Sequence, residues 1–230
     1  MFSDTCGDMQ TFVSTIGYHE TRVTRPILQQ DLADEISVVL LRPAVDGDDS
    51  RGEEAIGYVR DMLAEVAPAA TVTTEQIPTH ELQTAVLSCS DVLLDAPEES
   101  ELTVNFGGGA RELFLPLTIA TVMHAPLVDN AHQYTDVDQQ VRALATPNLT
   151  AQIPTNAWKT LQVVDELHAK TDSDGASISE LADTTGQSES TVSRHVSQLA
   201  DAAAVQTTQD GQIKRVQSTV TGTLLLRTRQ

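Results

Sequence analysis

The chain has 230 residues, with 33 Asp and Glu against 14 Lys and Arg, 40 % hydrophobic residues and two cysteines. That length allows one large domain or two modest ones with real cores, which excludes intrinsic disorder. The longest apolar stretches, such as 36–41, fall short of the roughly 18 residues a membrane span needs, and the first ten residues carry Asp4 and Asp8 without a signal peptide's basic region or apolar core, so a cytoplasmic protein is expected.

Along the first half, short β-branched runs alternate with helical spacing. Residues 11–16 read as a strand, 22–32 as a helix and 36–41 as a buried strand. Ile56, Val59, Leu63 and Val66 then recur at helical spacing within 52–66, and 70–77 reads as a third strand. A helix over 81–94, a fourth strand over 102–106, a helix face of Leu113, Leu117 and Ala120, and a short fifth strand at 126–128 follow. Strands separated by helices predict right-handed crossovers and a parallel sheet covered on both faces. The pattern breaks around Pro147 and Pro154, giving a domain over 1–145, a linker over 146–154 and a second domain over 155–230.

The second domain opens with an amphipathic helix over 156–170, carrying Trp158, Leu161, Val164 and Leu167 on one face. Ser177 and Glu180 fit a capping box for a second helix that stops at Gly186. Ser188 caps a third, whose Val192, Val196 and Leu199 face inward. Ser190, Thr191, Ser193, Arg194, His195 and Ser197 stand off that stripe, and Ser188, Ser190, Thr191, Ser193, Arg194 and His195 are the expected DNA contacts of this helix. This is the helix-turn-helix order, with small hydroxyls and Arg suited to phosphates and guanine edges. Strands over 205–209 and 212–216 flank Asp210-Gly211, a hairpin signal; as a wing it sets Lys214 and Arg215 near a phosphate backbone. Double-stranded DNA is the expected partner.

Charge is uneven. Residues 1–145 carry 24 acids and seven bases, and 146–230 carry nine and seven. From Thr185 onward three acids meet five bases, a locally basic segment fit to approach an anion. Only three of the bases are Lys, an acid-rich, lysine-poor composition that resembles proteins of salt-accumulating halophiles.

Two glycine turns mark the first domain. The first is Thr15-Ile16-Gly17-Tyr18-His19 after the first strand, and the second is Asn105-Phe106-Gly107-Gly108-Gly109-Ala110-Arg111 after the fourth. Glycines there allow close backbone approach, and free N–H groups at a helix start favour an anion. Neither a phosphate-binding Gly-Lys-Ser/Thr loop nor a dinucleotide fingerprint is present, so nicotinamide chemistry is not expected.

"STIGYHETRV" and "NFGGGAR", followed by a winged helix-turn-helix, resemble the CRISPR-associated Rossmann-fold (CARF) transcription regulators of archaea; the composition points to a haloarchaeon. The resemblance implies an α/β Rossmann-like parallel-sheet domain followed by a small winged helix-turn-helix. It implies a homodimer that senses a cyclic oligoadenylate, cyclic tetra-adenylate foremost, at its interface and regulates CRISPR-associated genes in antiviral defence. Carried over by position, the ligand residues are Thr15, Gly17, Tyr18, His19, Asn105, Gly107, Gly108, Gly109, Ala110 and Arg111. The family pattern has hydroxyl residues where this chain has Gly107 and Ala110.

The alternatives are a ring nuclease that cleaves its cyclic ligand, and a scaffold using the helix-turn-helix for protein contacts alone. Cleavage needs groups to activate a ribose hydroxyl and stabilise the leaving oxygen; the two missing hydroxyls argue against it, so no catalytic residue is assigned. The scattered histidines have no Cys partners at zinc spacing, so neither a metal site nor a cofactor is expected.

Overall fold

The computed structural model describes residues 9–44, 49–109, 111–170, 175–211 and 213–229, without the Lys170 side chain. Two compact units meet in sequence between Ala145 and Thr146. Cys6 and Ala110 lie outside the described residues.

In the first unit the elements follow one another as β1 (Met9–Thr15), α1 (Thr21–Leu28), β2 (Glu35–Pro43), α2 (Ser50–Val66) and β3 (Thr71–Ile77). Then come α3 (Leu82–Leu94), β4 (Glu101–Asn105), α4 (Arg111–Met123), β5 (Asn130–Tyr134) and β6 (Val141–Ala143). The sheet order is β3-β2-β1-β4-β5-β6. Strands β1 to β5 pair in parallel and β6 runs antiparallel to β5. This is a mixed α/β, Rossmann-like fold. The two-residue period of β1 sends Phe12 into one core with Val38, Leu40, Val59 and Leu63, and Val13 into another with Leu41, Cys89, Leu113 and Leu117. Burying each such side chain contributes about 1.5–3 kcal/mol.

Three readings of this unit need correction. Residues 126–128 are not a strand: Ala125–Leu127 forms a 3-10 turn, with Leu127 and Val128 N–H bonded to the His124 and Ala125 carbonyls. Pro126, fixed in φ and without an N–H, suits that turn better than a ladder, and the fifth strand lies at Asn130–Tyr134. Helix α1 stops at Leu28 rather than residue 32. The sheet is also not wholly parallel, because β6 closes one edge in the opposite sense.

The second unit runs α5 (Trp158–Lys170), β7 (Ala176–Ser177), α6 (Ile178–Thr185), α7 (Glu189–Asp201), β8 (Val205–Asp210), β9 (Ile213–Ser218) and α8 (Val220–Arg227). Its three strands form an antiparallel sheet ordered β7-β9-β8. Leu161, Val164, Leu181, Val192, Val196, Leu199, Val205 and Val216 make its core. Ser177 and Glu180 form the capping box, and Gly186 closes α6 at φ +69°. The hairpin turns one residue later than the Asp-Gly signal suggests, since Asp210 itself pairs with Ile213. Helix α8, capped by the Thr219 hydroxyl at Gly222 N–H (3.2 Å), has no counterpart in the sequence reading. The segment before α5 is tied to α8, where Asn148 N–H donates to Thr221 Oγ1 at 2.9 Å.

Candidate functional site

Strand order reverses at β1, whose chain neighbours β2 and β3 lie on one side and β4 on the other. Open α/β sheets take ligands in the crevice at the carboxyl ends of the strands at such a reversal. Both glycine turns are there and they touch. A Cβ on Gly17 would lie 3.0 Å from Gly109 Cα, and one on Gly109 (φ +95°) would lie 2.9 Å from the Ile16 carbonyl. Only glycine lets the two backbones meet this closely.

Part of the expected ligand set holds the turns instead. Asn105 is 1 % exposed; its Nδ2 donates to Ser14 Oγ at 2.8 Å and to the Arg22 carbonyl at 3.0 Å. Pro26, four residues after Arg22 in α1, has no N–H to give that carbonyl, so the asparagine supplies the missing donor. Thr15 is buried, and its Oγ1 accepts from Gly108 N–H at 3.4 Å. Gly107 is buried too, and a Cβ there would lie 2.0 Å from the Arg22 carbonyl. The family's hydroxyl has no room at that position while α1 sits where it does. Asn105, Thr15 and Gly107 are therefore architectural in this structure. Gly17, Tyr18, His19, Gly108, Gly109 and Arg111 reach the surface, and Ala110 lies outside the described residues.

The sequence reading missed the convergence of arginine. The first unit holds seven, and six of them (Arg22, Arg25, Arg42, Arg51, Arg111, Arg142) stand at the carboxyl edge of the parallel strands, with Arg60 the exception. Arg22, Arg51 and Arg111 open the helices after β1, β2 and β4. A cation there opposes the positive end of the helix dipole, a cost of about 0.3–1 kcal/mol each that an anion would offset. Some are engaged: Arg22 with Asp136 at 2.8 Å, buried Arg42 with Asp49 and Glu53, and Arg142 with Asp138. Arg51 stacks over the Tyr18 ring, 4.5 Å from its centroid. The spacing of arginines just after strand ends was the signal available in the sequence.

Beside the crevice, His132 pairs in register with Asn105. It is 9 % exposed, its Nδ1 has no partner, and burial lowers its pKa. Asn105 Oδ1 is likewise buried without a partner. Elsewhere in the unit burial pushes the Cys89 thiol up to about 11, so it is an inert core residue. Among the described residues no group of three or more His, Cys, Asp or Glu could hold a metal ion.

In the second unit α7 presents Ser190, Ser193 and Arg194 outward, with Ser188 at its start accepting from Thr191 N–H at 3.3 Å. Thr191 is half-buried, its Oγ1 2.9 Å from Ser188 Oγ. His195 is a correction: it is 2 % exposed and packs inside. Its Nδ1 lies 3.0 Å from Thr160 Oγ1 and its Nε2 3.1 Å from Asn156 Nδ2, out of reach of any DNA. Burial, and then the Arg194 charge, lower its pKa. The hairpin bases differ from each other. Lys214 is half-buried, whereas Arg215 donates to the Gly175 carbonyl at 3.3 Å and lies 3.7 Å from Glu180 and 3.8 Å from Asp210. Arg215 is thus tied to its own unit. The Ser177 hydrogen bonds, with Arg215 a smaller cause, hold the Glu180 carboxyl below its ordinary range.

A family model described as the Csa3 CRISPR-associated Rossmann-like domain matches residues 10–131. No curated protein sequence matches the chain. Among solved structures, a protein of Ralstonia eutropha JMP134 described as a candidate DNA-binding protein aligns at 18% identity over 34% of this chain and 98% of its own, with a TM-score of 0.31. Enterococcus italicus Csm6, bound to cyclic hexa-2'-fluoro-hexa-dAMP, aligns at 11% identity over 60% of this chain and 42% of its own, with a TM-score of 0.44. Drosophila ORC, bound to AT-rich DNA and Cdc6, aligns at 10% identity over 96% of this chain and 86% of its own, with a TM-score of 0.29. All three scores are too low to speak for a shared fold.

Proposed function

The chain belongs to the family of the Csa3 CRISPR-associated Rossmann-like domain, and from that premise we propose that it is a ligand-responsive transcription regulator of CRISPR-associated genes. The first unit is the sensor, taking a cyclic oligoadenylate across the two-fold axis of a homodimer. The second unit is a winged helix-turn-helix that binds a promoter through α7 and the β8–β9 hairpin. The observation that carries the reading is the contact of Gly17 with Gly109 at the strand-order reversal of the family-matched unit, ringed by arginine. The exposed Arg51 and Arg111 at two helix starts favour an anionic ligand, and a phosphodiester ring is such a ligand. The DNA role is supported by the outward Ser190, Ser193 and Arg194 and by an element order of helix, strand, two helices and hairpin.

On this reading the ring is bound and not cleaved. Gly107 offers no hydroxyl, and Asn105 and Thr15 are committed to the turns. Arg194 is the leading base-reading residue, and Lys214 rather than Arg215 is the phosphate contact of the wing. Ligand and operator affinity are linked, so each must change the other by the same factor. If the protein works in the high potassium of a salt-accumulating cytoplasm, counterion release contributes little and direct base contacts carry the affinity.

The test is binding of the purified protein to DNA from upstream of its own gene in high-potassium buffer, with and without cyclic tetra-adenylate. Sequence-specific binding that shifts with the ligand is expected, and Arg194→Ala is expected to weaken it. Specific binding indifferent to the ligand removes the sensor. No specific binding favours a scaffold that uses the second unit for protein contacts.

A further inference from the structure

Tyr18 is an exposed aromatic in a chain whose aromatic content is 3 %, and it stands one residue past the Gly17–Gly109 contact. The residue is 54 % exposed, although burying an aromatic is among the larger gains open to a fold. It is also held in place. The Arg51 guanidinium lies over it at 4.5 Å, brought from the start of α2, on the far side of β1 from β4. Arg51 forms no ion pair with any described residue, so the ring is its only described partner.

A rigid ring backed by a cation, beside two backbone turns and the exposed Arg111, combines two kinds of recognition. The ring offers a π-face and the turn offers charge and N–H donors. Stacking on such a ring is how single-stranded nucleotides are held without base-edge readout. Simple anions need no ring, and apolar ligands need no arginine. We propose that Tyr18, backed by Arg51, is the nucleobase platform of this site, stacking a purine whose phosphate lies toward the glycine turn and Arg111. This rests on the sensor reading of the first unit and assigns its base contact to a pair that neither glycine motif contains in full.

The experiment measures dissociation constants of cyclic tetra-adenylate, adenosine 5′-monophosphate and ribose 5-phosphate for the wild-type chain, Tyr18→Phe, Tyr18→Ala and Arg51→Gln. Because Tyr18 is half exposed, all variants are expected to melt as wild type does. Tyr18→Ala is expected to weaken both adenine ligands roughly 5- to 150-fold, with Tyr18→Phe close to wild type and Arg51→Gln between them. Ribose 5-phosphate is expected to be indifferent to all three. Equal affinity of wild type and Tyr18→Ala for cyclic tetra-adenylate overturns the platform but leaves the ring-sensing reading intact. Tyr18-dependent binding of adenosine monophosphate without binding of the ring supports the platform and removes the cyclic ligand. A wild-type chain that binds neither adenine ligand overturns both.

Discussion

Asn105 joins three segments through one amide, because Ser14 on β1 and the Arg22 carbonyl on α1 both accept from it. Its second bond serves a carbonyl that Pro26 leaves without a helical donor. Asn105→Ala is therefore expected to cost about 1–3 kcal/mol, the penalty for an unsatisfied buried group, read from the urea midpoint. The cost should shrink in a Pro26→Ala background, where the backbone N–H restored at that position can serve the Arg22 carbonyl; an equal cost in both backgrounds refutes this coupling. His195 has the opposite logic. With Asn156 Nδ2 donating to its Nε2, the ring is neutral and donates from Nδ1 to Thr160. A second proton would meet a donor inside a buried site. Its native pKa lies below the ordinary 6.5, so the unfolded chain binds more protons between the two values. Its contribution is complete above pH 6.5 and is lost as pH falls through that window. Unfolding followed by Trp158 fluorescence should show the second unit weakening as pH falls below about 6.5, and His195→Gln should flatten that slope.

The helix α1 and the β4–α4 turn are fitted to each other so closely that a side chain at position 107 cannot be added without moving one of them. Gly107→Ala would set its Cβ 2.0 Å from the Arg22 carbonyl, and a destabilisation of about 1–3 kcal/mol is expected from such overpacking, seen as a lower melting temperature. Wild-type stability for this variant would mean that α1 is not anchored there. This contact marks the limit of what the sequence discloses. Local signals were legible: the Ser177–Glu180 box, the Gly186 stop, the Ser188 cap and the Leu113, Leu117 and Ala120 stripe all involve residues within a few positions of one another. The positions of the glycine turns were legible as well, because each run stands between a strand pattern and a helix pattern; that the two turns pack on each other was not. Asn105 and Arg22 are 83 residues apart, and no local pattern tells that an asparagine beside a glycine run faces a carbonyl instead of a ligand. His195 misled for a related reason: it lies beside Val196, and whether the inward stripe widens to include it depends on Asn156 and Thr160 of the preceding helical segment. The 125–127 turn had too few residues to establish a period, and α8 carries Leu224, Leu225 and Leu226 in a row, which sets no helical spacing.

The whole chain carries a net charge of −19, and its two units share it unequally: 24 acids against seven bases before residue 146, nine against seven after it. The first unit is therefore at −17 and the second at −2. Self-repulsion on that scale opposes compactness in the first unit only. Its basic residues do not relieve this evenly, because six of the seven are gathered at one edge, leaving the helical flanks and the opposite edge acidic. Salt shortens the reach of exposed charges from about 10 Å at 0.1 M to about 3 Å at 1 M. Raising potassium chloride across that range should stabilise the first unit strongly and the second little. The chain provides separate reporters: Tyr18, Tyr58 and Tyr134 all lie in the first unit, and the single tryptophan, Trp158, in the second. Tyrosine-detected melting is expected to move upward with salt, by about 2–4 °C per kcal/mol of repulsion screened, while the Trp158-detected transition stays nearly fixed. If both transitions move together, the units unfold as one and the charge asymmetry has no separate energetic consequence. A fixed tyrosine transition would mean that the acidic surface of the first unit does not limit its stability. An anionic ligand at the arginine edge would then owe its affinity to local contacts such as Arg111 and the turn N–H groups, with little opposition from the distant acids.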